Sequence, residues 1–320
     1  MTDELELGYT LSCEEHGPNE LVDQARRAEE AGFDFLSISD HFHPWVSAQG
    51  ESPFVWSTLG GVATATEDID VGVGVTAPIM RIHPVNVAQA TATVADMFDG
   101  RFTFGVGTGE LLNEHVTAEQ WPEHAVRLSM LKEAVEVIRE LWTGEQTSFH
   151  GEFYDVQNAR LFTLPDENPP IVVSAFGERA AQAAADFGDG IWSVGPQDVV
   201  ETWEEAGGEG PRYTQLHACV ASSVDEAAAT VHERWPNSAL PGELAAELPT
   251  TAHFEQACEM VSEEDVREGS ITLGRDADEH IESIQESVDA GYDHVYVHQI
   301  GDDQEVAIEF YESEVLPSFR

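Results

Sequence analysis

Residues 5–32 read LELGYTLSCEEHGPNELVDQARRAEEAG, and their order decides the architecture. Leu5, Leu7, Tyr9 and Leu11 recur at the two-residue period of a strand. From Asn19 to Gly32 the apolar residues Leu21, Val22, Ala25, Ala28 and Ala31 recur at helical spacing, and the run stops on glycine. A strand feeding directly into a helix opens an α/β unit. The linking residues SCEEHGPNE hold one glycine. A doubly wound dinucleotide sheet needs G-x-G-x-x-G at this turn, so that a pyrophosphate can approach the backbone. A closed (β/α)8 TIM barrel is therefore predicted.

Further along, the same alternation repeats. Strands are expected at 33–39 (FDFLSIS), 69–76 (IDVGVGVT), 101–106 (RFTFGV), 171–175, 190–194, 213–221 and 294–300. Helices are expected at 54–66, 86–98, 123–142 (with Gly144 just beyond), 178–187, weakly at 199–205, and at 278–290 and 305–316. A hairpin-like stretch, QTSFHGEFYDVQ, interrupts the rhythm within 145–168, and 225–268 is helical and acidic with a Pro/Gly break at 236–242. This makes one domain over 1–320, with insertions after the second, fourth and seventh strands. Trp56 and Phe98 are expected in the core.

The charge balance is lopsided: 61 Asp+Glu against 14 Lys+Arg give a net charge of −47, and Lys132 is the single lysine. Hydrophobic residues at 42% and aromatics at 9% distinguish the chain from a disordered acidic one. Nucleic acid and anionic membrane surfaces would meet net repulsion. Such self-repulsion is screened in molar salt, where the Debye length is roughly 3 Å. The expectation is a cytoplasmic protein of a salt-in halophile. Cys13, Cys219 and Cys258 form no C-x-x-C pair, so neither a disulfide framework nor a thiolate metal site is expected. The N-terminus shows no basic or apolar leader, and no run approaches a membrane span.

Barrel chemistry gathers at the C-terminal ends of strands. After the second strand stand Ser39-Asp40-His41-Phe42-His43-Pro44-Trp45. A His41/His43 metal site would need further ligands on later strands, whose ends offer Gly, Thr and one Glu, so no metal is predicted. After the third strand, Gly72-Val73-Gly74-Val75-Thr76-Ala77-Pro78 would let a planar ligand reach the backbone, or serve packing alone. After the fourth come Gly105-Val106-Gly107-Thr108-Gly109-Glu110-Leu111-Leu112-Asn113-Glu114, where Glu110 can act as acid or base. After the fifth, Ser174-Ala175-Phe176-Gly177-Glu178 opens a helix whose N–H groups can hold a phosphate.

S-D-H-F-x-P-W, G-V-G-T-G-E-x-L-N-E and the A-x-G helix start together resemble the luciferase-like superfamily. Within it they resemble the coenzyme F420 branch, the glucose-6-phosphate dehydrogenase group, in a halophilic archaeal version. The resemblance implies F420 at the barrel mouth, with Asp40 and His41 against the deazaflavin ring and a cis peptide at Gly74–Val75. Thr76, Gly107, Thr108 and Asn113 would line the ring or its tail, and Ala175, Phe176 and Gly177 would cradle the phosphate. It further implies His41 as base, with Trp45 and Glu110 stabilising the intermediate and protonating the coenzyme, so that His41 and Glu110 form an acid–base pair. The lysines that bind substrate phosphate in that group fall near Gln197 and Gln256 here, with Arg275 and Arg212 as partial replacements. An unphosphorylated or differently charged substrate, an alcohol or sugar, is thus preferred to a sugar phosphate. Three alternatives stay open: an FMN-dependent monooxygenase, a methylenetetrahydromethanopterin reductase-like enzyme using F420, and a non-catalytic barrel that binds a partner. The family also implies a homodimer.

Overall fold

A computed structural model describes residues 5–240, 242 and 244–320. In it β1 (Glu6–Leu11), β2 (Phe35–Ile38), β3 (Asp70–Thr76) and β4 (Phe102–Val106) lie side by side and parallel. An antiparallel hairpin, β5 (Thr147–His150) and β6 (Asp155–Ala159), then forms a separate sheet. Three further parallel strands follow, β7 (Ile171–Ser174), β8 (Gly190–Val194) and β9 (Arg212–Cys219). The two-residue β10 (Thr272–Leu273) flanks the end of β9. Finally β11 (His294–Gln299) pairs with both β9 and β1, which closes an eight-stranded barrel. The predicted TIM barrel is the observed fold.

Helices wrap the outside: α1 (Pro18–Ala31), α2 (Val55–Ala65), α3 (Pro84–Phe98), α4 (Leu111–Glu114), α5 (His124–Leu141), α6 (Glu178–Phe187) and α7 (Val200–Glu205). Beyond β9 come α8 (Val224–Arg234), α9 (Leu244–Glu247), α10 (Thr251–Cys258) and α11 (Glu263–Arg267), then α12 (Ala277–Asp289) and α13 (Gln304–Phe310). α1 shows the local logic. Proline occupies its first turn, Leu21, Ala25, Ala28 and Ala31 face the core, and Gly32 ends it at φ 86°, where a Cβ would be strained.

Several expectations shift. The strand expected at 33–39 is only four residues long, because Asp34 turns aside and accepts the Leu7 N–H at 2.8 Å. α3 starts at Pro84 rather than Asn86, since proline suits the first helical position and the His83 imidazole caps the Val85 N–H. The acidic segment 225–268 resolves into four short helices, and β10 was not anticipated. The helix expected at 305–316 is α-helical only to Phe310, then passes through a π turn and a 3₁₀ turn. Trp56 and Phe98 are both buried in the core.

Glycines make room inside the barrel. Phe35, Val172, Trp192, Tyr213 and Tyr296 fill its interior, with Trp192 stacked on Tyr213 at 4.3 Å. A Cβ on Gly72 or Gly74 would meet Trp192 at 2.7 or 2.6 Å, and one on Gly105 would lie 2.2 Å from the Val73 carbonyl oxygen. The alternating glycines of β3 and β4 are thus the space that one indole occupies. Among the described residues no helix is long and apolar enough to cross a membrane.

Candidate active site

The loop after β2 is pinned to α4 by one side chain. Asn113 is buried, and its amide oxygen accepts the N–H groups of Phe42 at 2.9 Å and His43 at 3.2 Å. His43 Nδ1 adds a donor to the Leu112 carbonyl at 3.0 Å. The Asn113 amide nitrogen donates to Glu110 Oε2 at 3.2 Å and stands equally far from His41 Nδ1. The expected His41 and Glu110 are therefore brought together through Asn113. Asn113, expected to line the ring or tail, spends its polar atoms on the protein itself. Trp45 packs tilted against His41 at 4.7 Å and edge-on to Phe254 at 5.2 Å.

Beside Nε2 of His41 lies a carboxylate that no motif announced. His41 Nε2 is 3.4 Å from Glu14 Oε1, while Nδ1 donates to the His43 carbonyl at 3.1 Å. Glu14 comes from the SCEEHG turn after β1 and is buried, with its other oxygen accepting the Ser39 hydroxyl at 2.6 Å. Burial pushes the Glu14 carboxyl up, but His41, the Ser39 hydroxyl, its own N–H and His298 together hold it below the ordinary value. It is an anion facing His41.

Asp40 is committed elsewhere. One oxygen accepts the Thr76 hydroxyl at 2.8 Å, and the other pairs with Arg81 at 2.8 Å. Arg81 is shared with Glu114, whose Oε2 accepts the Arg81 N–H at 2.7 Å. Burial pushes the Glu114 carboxyl up to about 7, against the pull of the Arg81 N–H and guanidinium. Asp40 and Thr76 therefore shape the wall from behind. The peptide Gly74–Val75 is cis, and these two are the half-exposed residues near the mouth end of an otherwise buried strand. Gly107 donates its N–H to the Thr76 carbonyl, and Thr108 stands half-buried beside it.

Just after the fifth barrel strand, β7, the Ala175 N–H donates to the Trp192 carbonyl at 2.9 Å and its carbonyl accepts the Ser193 hydroxyl at 3.0 Å, so both of its backbone polar groups are used within the protein. Phe176, Gly177 and the first turn of α6 remain exposed, and nothing stands within 4 Å of where a Cβ on Gly177 would lie.

The substrate positions divide. Gln197 is exposed just beyond β8, its amide donating to the Val194 carbonyl at 3.1 Å. Gln256 is exposed on α10, and Arg275 is exposed just after β10, on the same end of the barrel as the end of β9. Arg212 cannot reach the mouth: it begins β9 and is held at 2.6 Å by Asp293 and 3.0 Å by Glu204. Lys132 pairs with Asp186 on the outer surface. Among the described residues no three His, Cys, Asp or Glu side chains are placed to hold a metal.

The far side of the mouth carries groups that sequence reading missed. β9 and β11 run in register, so His217 faces His298, with ring centroids 5.2 Å apart and Trp235 beside them. His298 Nε2 lies 2.9 Å from Glu15, whose other oxygen accepts the Gly301 N–H at 3.1 Å. Glu14 and Glu15 thus anchor one histidine each, His41 in the loop after the second barrel strand and His298 on the last strand.

The luciferase-like monooxygenase family profile matches residues 6–294. The chain is 33% identical over 333 residues to an F420-dependent glucose-6-phosphate dehydrogenase of Microbacterium testaceum, covering all of this chain and 99% of that one. It is 34% identical to the protein of the same name from Nakamurella multipartita, over 99% of this chain and 97% of that one. Among solved structures, an F420-dependent secondary alcohol dehydrogenase in complex with an F420–acetone adduct superposes with a TM-score of 0.91 at 29% identity, over 99% of each chain. These two relatives are bacterial and lend no support to an archaeal origin. The family profile over residues 6–294 and the match along nearly the whole chain lead to one statement: the chain belongs to the luciferase-like monooxygenase family.

Proposed function

We propose that the protein is an F420-dependent oxidoreductase that removes hydride from, or returns it to, a hydroxyl-bearing carbon. The observation that carries this is the meeting of His41, Trp45 and Glu110 at one mouth, beside the cis Gly74–Val75 peptide. The residues present fit a deazaflavin: the half-exposed Gly74 and Val75 give a flat apolar wall, and the open start of α6 at Gly177 suits a phosphate. Asp40 and Thr76 support that wall, and Gly107 and Thr108 border it. Bound there, F420 supplies a two-electron hydride acceptor or donor.

The chain itself moves the proton. With Nδ1–H donated to the His43 carbonyl, the proton-accepting nitrogen of His41 is Nε2, on the edge that Glu14 Oε1 borders at 3.4 Å, and there it takes the substrate hydroxyl proton. The buried Glu14 carboxylate at 3.4 Å stabilises the imidazolium formed. The Trp45 indole N–H, which has no partner among the described residues, is free to hold the substrate oxygen. Glu110, steadied by Asn113, exchanges a proton on the cofactor side.

An uncharged alcohol or sugar suits a mouth with Gln197 and Gln256 in place of cations, although Arg275 and Arg179 are exposed near it. Mixing the protein with oxidised F420 in molar salt, and comparing glucose with glucose 6-phosphate for bleaching of the coenzyme absorbance, tests both points. Near-normal turnover in His41→Ala and Glu110→Gln would remove the acid–base pair. The charge of −47 supports a salt-adapted cytoplasmic protein, expected to melt higher in molar KCl than in dilute buffer. Exposed Phe54 and Met97 beside α2 and on α3 support a homodimer through that face, to be checked by light scattering.

A further inference from the structure

The turn that carries Trp45 takes its shape from a side chain within it and from the insertion that follows β9. The Gln49 N–H donates to the Val46 carbonyl at 3.1 Å, closing a tight turn over 46–49. The Gln49 side chain then folds back: its amide oxygen accepts the Trp45 N–H at 2.7 Å and, more weakly, the Val46 N–H at 3.4 Å. Gln49 is only 1% exposed, and its amide nitrogen donates to Asn237 at 3.5 Å, on the 3₁₀ turn after α8. Two more ties lead to the same insertion. The Ser47 N–H donates to Glu255 at 3.0 Å, and Arg234 donates to the Ala48 carbonyl at 2.9 Å. Val46 is buried in one cluster with Leu112, Phe254 and Cys258, and the Trp45 ring sits edge-on to Phe254.

Trp45 has reason to be held. Its ring packs tilted against His41 at 4.7 Å, and its indole N–H has no partner among the described residues. A ring that must offer one N–H to a substrate oxygen gains nothing from freedom to swing, so its backbone has to be fixed. Gln49 fixes it from inside the protein. None of its hydrogen bonds goes to His41, Glu110 or the Gly74–Val75 wall. An apolar side chain in its place would leave two N–H groups without an acceptor and loosen the turn.

We propose that Gln49 is a positioning residue for the reaction: it ties Trp45 to the insertion after β9 and so holds the indole N–H where the substrate oxygen binds. This rests on the hydroxyl-oxidising function above. Gln49→Met keeps length and volume but removes the acceptor, whereas Gln49→Glu keeps an acceptor oxygen. The substrate is whichever of glucose, glucose 6-phosphate or 2-propanol bleaches F420. With it, kcat/KM should fall about 10- to 100-fold in Gln49→Met and recover most of the way in Gln49→Glu. The affinity for F420 should stay within about 2-fold, because Gln49 makes no bond to the cofactor wall. A double-mutant cycle separates positioning from plain stability. In a Trp45→Phe background, Gln49→Met should cost less than about 2-fold more, since it acts through that ring. A merely structural Gln49 would give losses that multiply. Acrylamide quenching of Trp45 emission, taken in each background as the difference from Trp45→Phe, reads the tie without turnover. It should rise in Gln49→Met and not in Gln49→Glu. Should none of the three compounds bleach F420 while the quenching changes in this way, the oxidising function falls and the positioning of Trp45 stands. If circular dichroism shows Gln49→Met unfolded, the exposed Glu255→Ala, which releases the Ser47 N–H, should raise the same quenching. Losses that multiply in the cycle, an equal loss in Gln49→Glu, or unchanged quenching overturns the inference.

Discussion

The side-chain amide nitrogen of Asn113 stands 3.2 Å from Nδ1 of His41, and the same amide oxygen holds the backbone of the two residues that follow His41. The base is positioned by a residue from α4, not by its own strand. Asn113→Leu keeps the volume and leaves the Phe42 and His43 N–H groups without their acceptor. At roughly 1–3 kcal/mol for each unsatisfied donor, two donors put the loss at about 2–6 kcal/mol of stability, nearer the lower end because both are only part-buried. Turnover should fall more than about 10-fold through misplacement of His41. Denaturant unfolding and steady-state kinetics on the folded fraction check the two effects.

Glu14→Gln keeps the shape of the side chain that faces His41 and removes its charge. The substrate oxygen gains nothing from Glu14 before proton transfer, so KM should hardly change. The imidazolium loses its counter-ion, and kcat should drop by about 10- to 100-fold. Equal changes in kcat and KM, or none, would assign Glu14 a purely structural part.

Glu114 makes stability depend on pH in a defined direction. Its folded pKa of about 7 lies above the ordinary 4.5, so between those values the folded state binds more protons than the unfolded one. Stability contributed by this group is therefore lost as pH rises from about 4.5 through about 7. At about 1.4 kcal/mol per pH unit, wild type should lose about 3 kcal/mol relative to Glu114→Gln between pH 4 and pH 8. Paired denaturant titrations at the two pH values measure the difference, in which the other carboxylates cancel.

Gly105→Ala tests the packing of the barrel interior. The added Cβ would sit 2.2 Å from a carbonyl oxygen and 3.2 Å from Trp192, where backbone and a large buried ring leave no room to give. A loss of about 3 kcal/mol is expected, read as a lower urea midpoint with an unchanged slope.

The strand–helix alternation was legible because the two-residue period of Leu5–Leu11 and the helical spacing of 19–32 differ so plainly. The His41, Trp45 and Glu110 positions were legible because they sit in dense motifs directly after strands. Glu14, Glu15, His217 and His298 obey the same rule after or at the end of β1, β9 and β11. They stand in short strings with no diagnostic spacing, and only the closed barrel brings them together. Asp40 was legible through its recognisable loop. Its partner Arg81 was not, because it lies in a segment without a motif, and a buried carboxylate takes the cation within reach. The helices between 224 and 267 were too short to leave a period, and β10 exists only by pairing with β9.

The seam between β1 and β11 has a consequence for synthesis. Because Glu15 meets His298 across that closure, the wall of the mouth joins residues 283 positions apart in the sequence. A nascent chain that has not yet added β11 can form the first strands and the His41 loop, but not a finished mouth. A chain cut short before β11 would carry the motifs of the site without its shape.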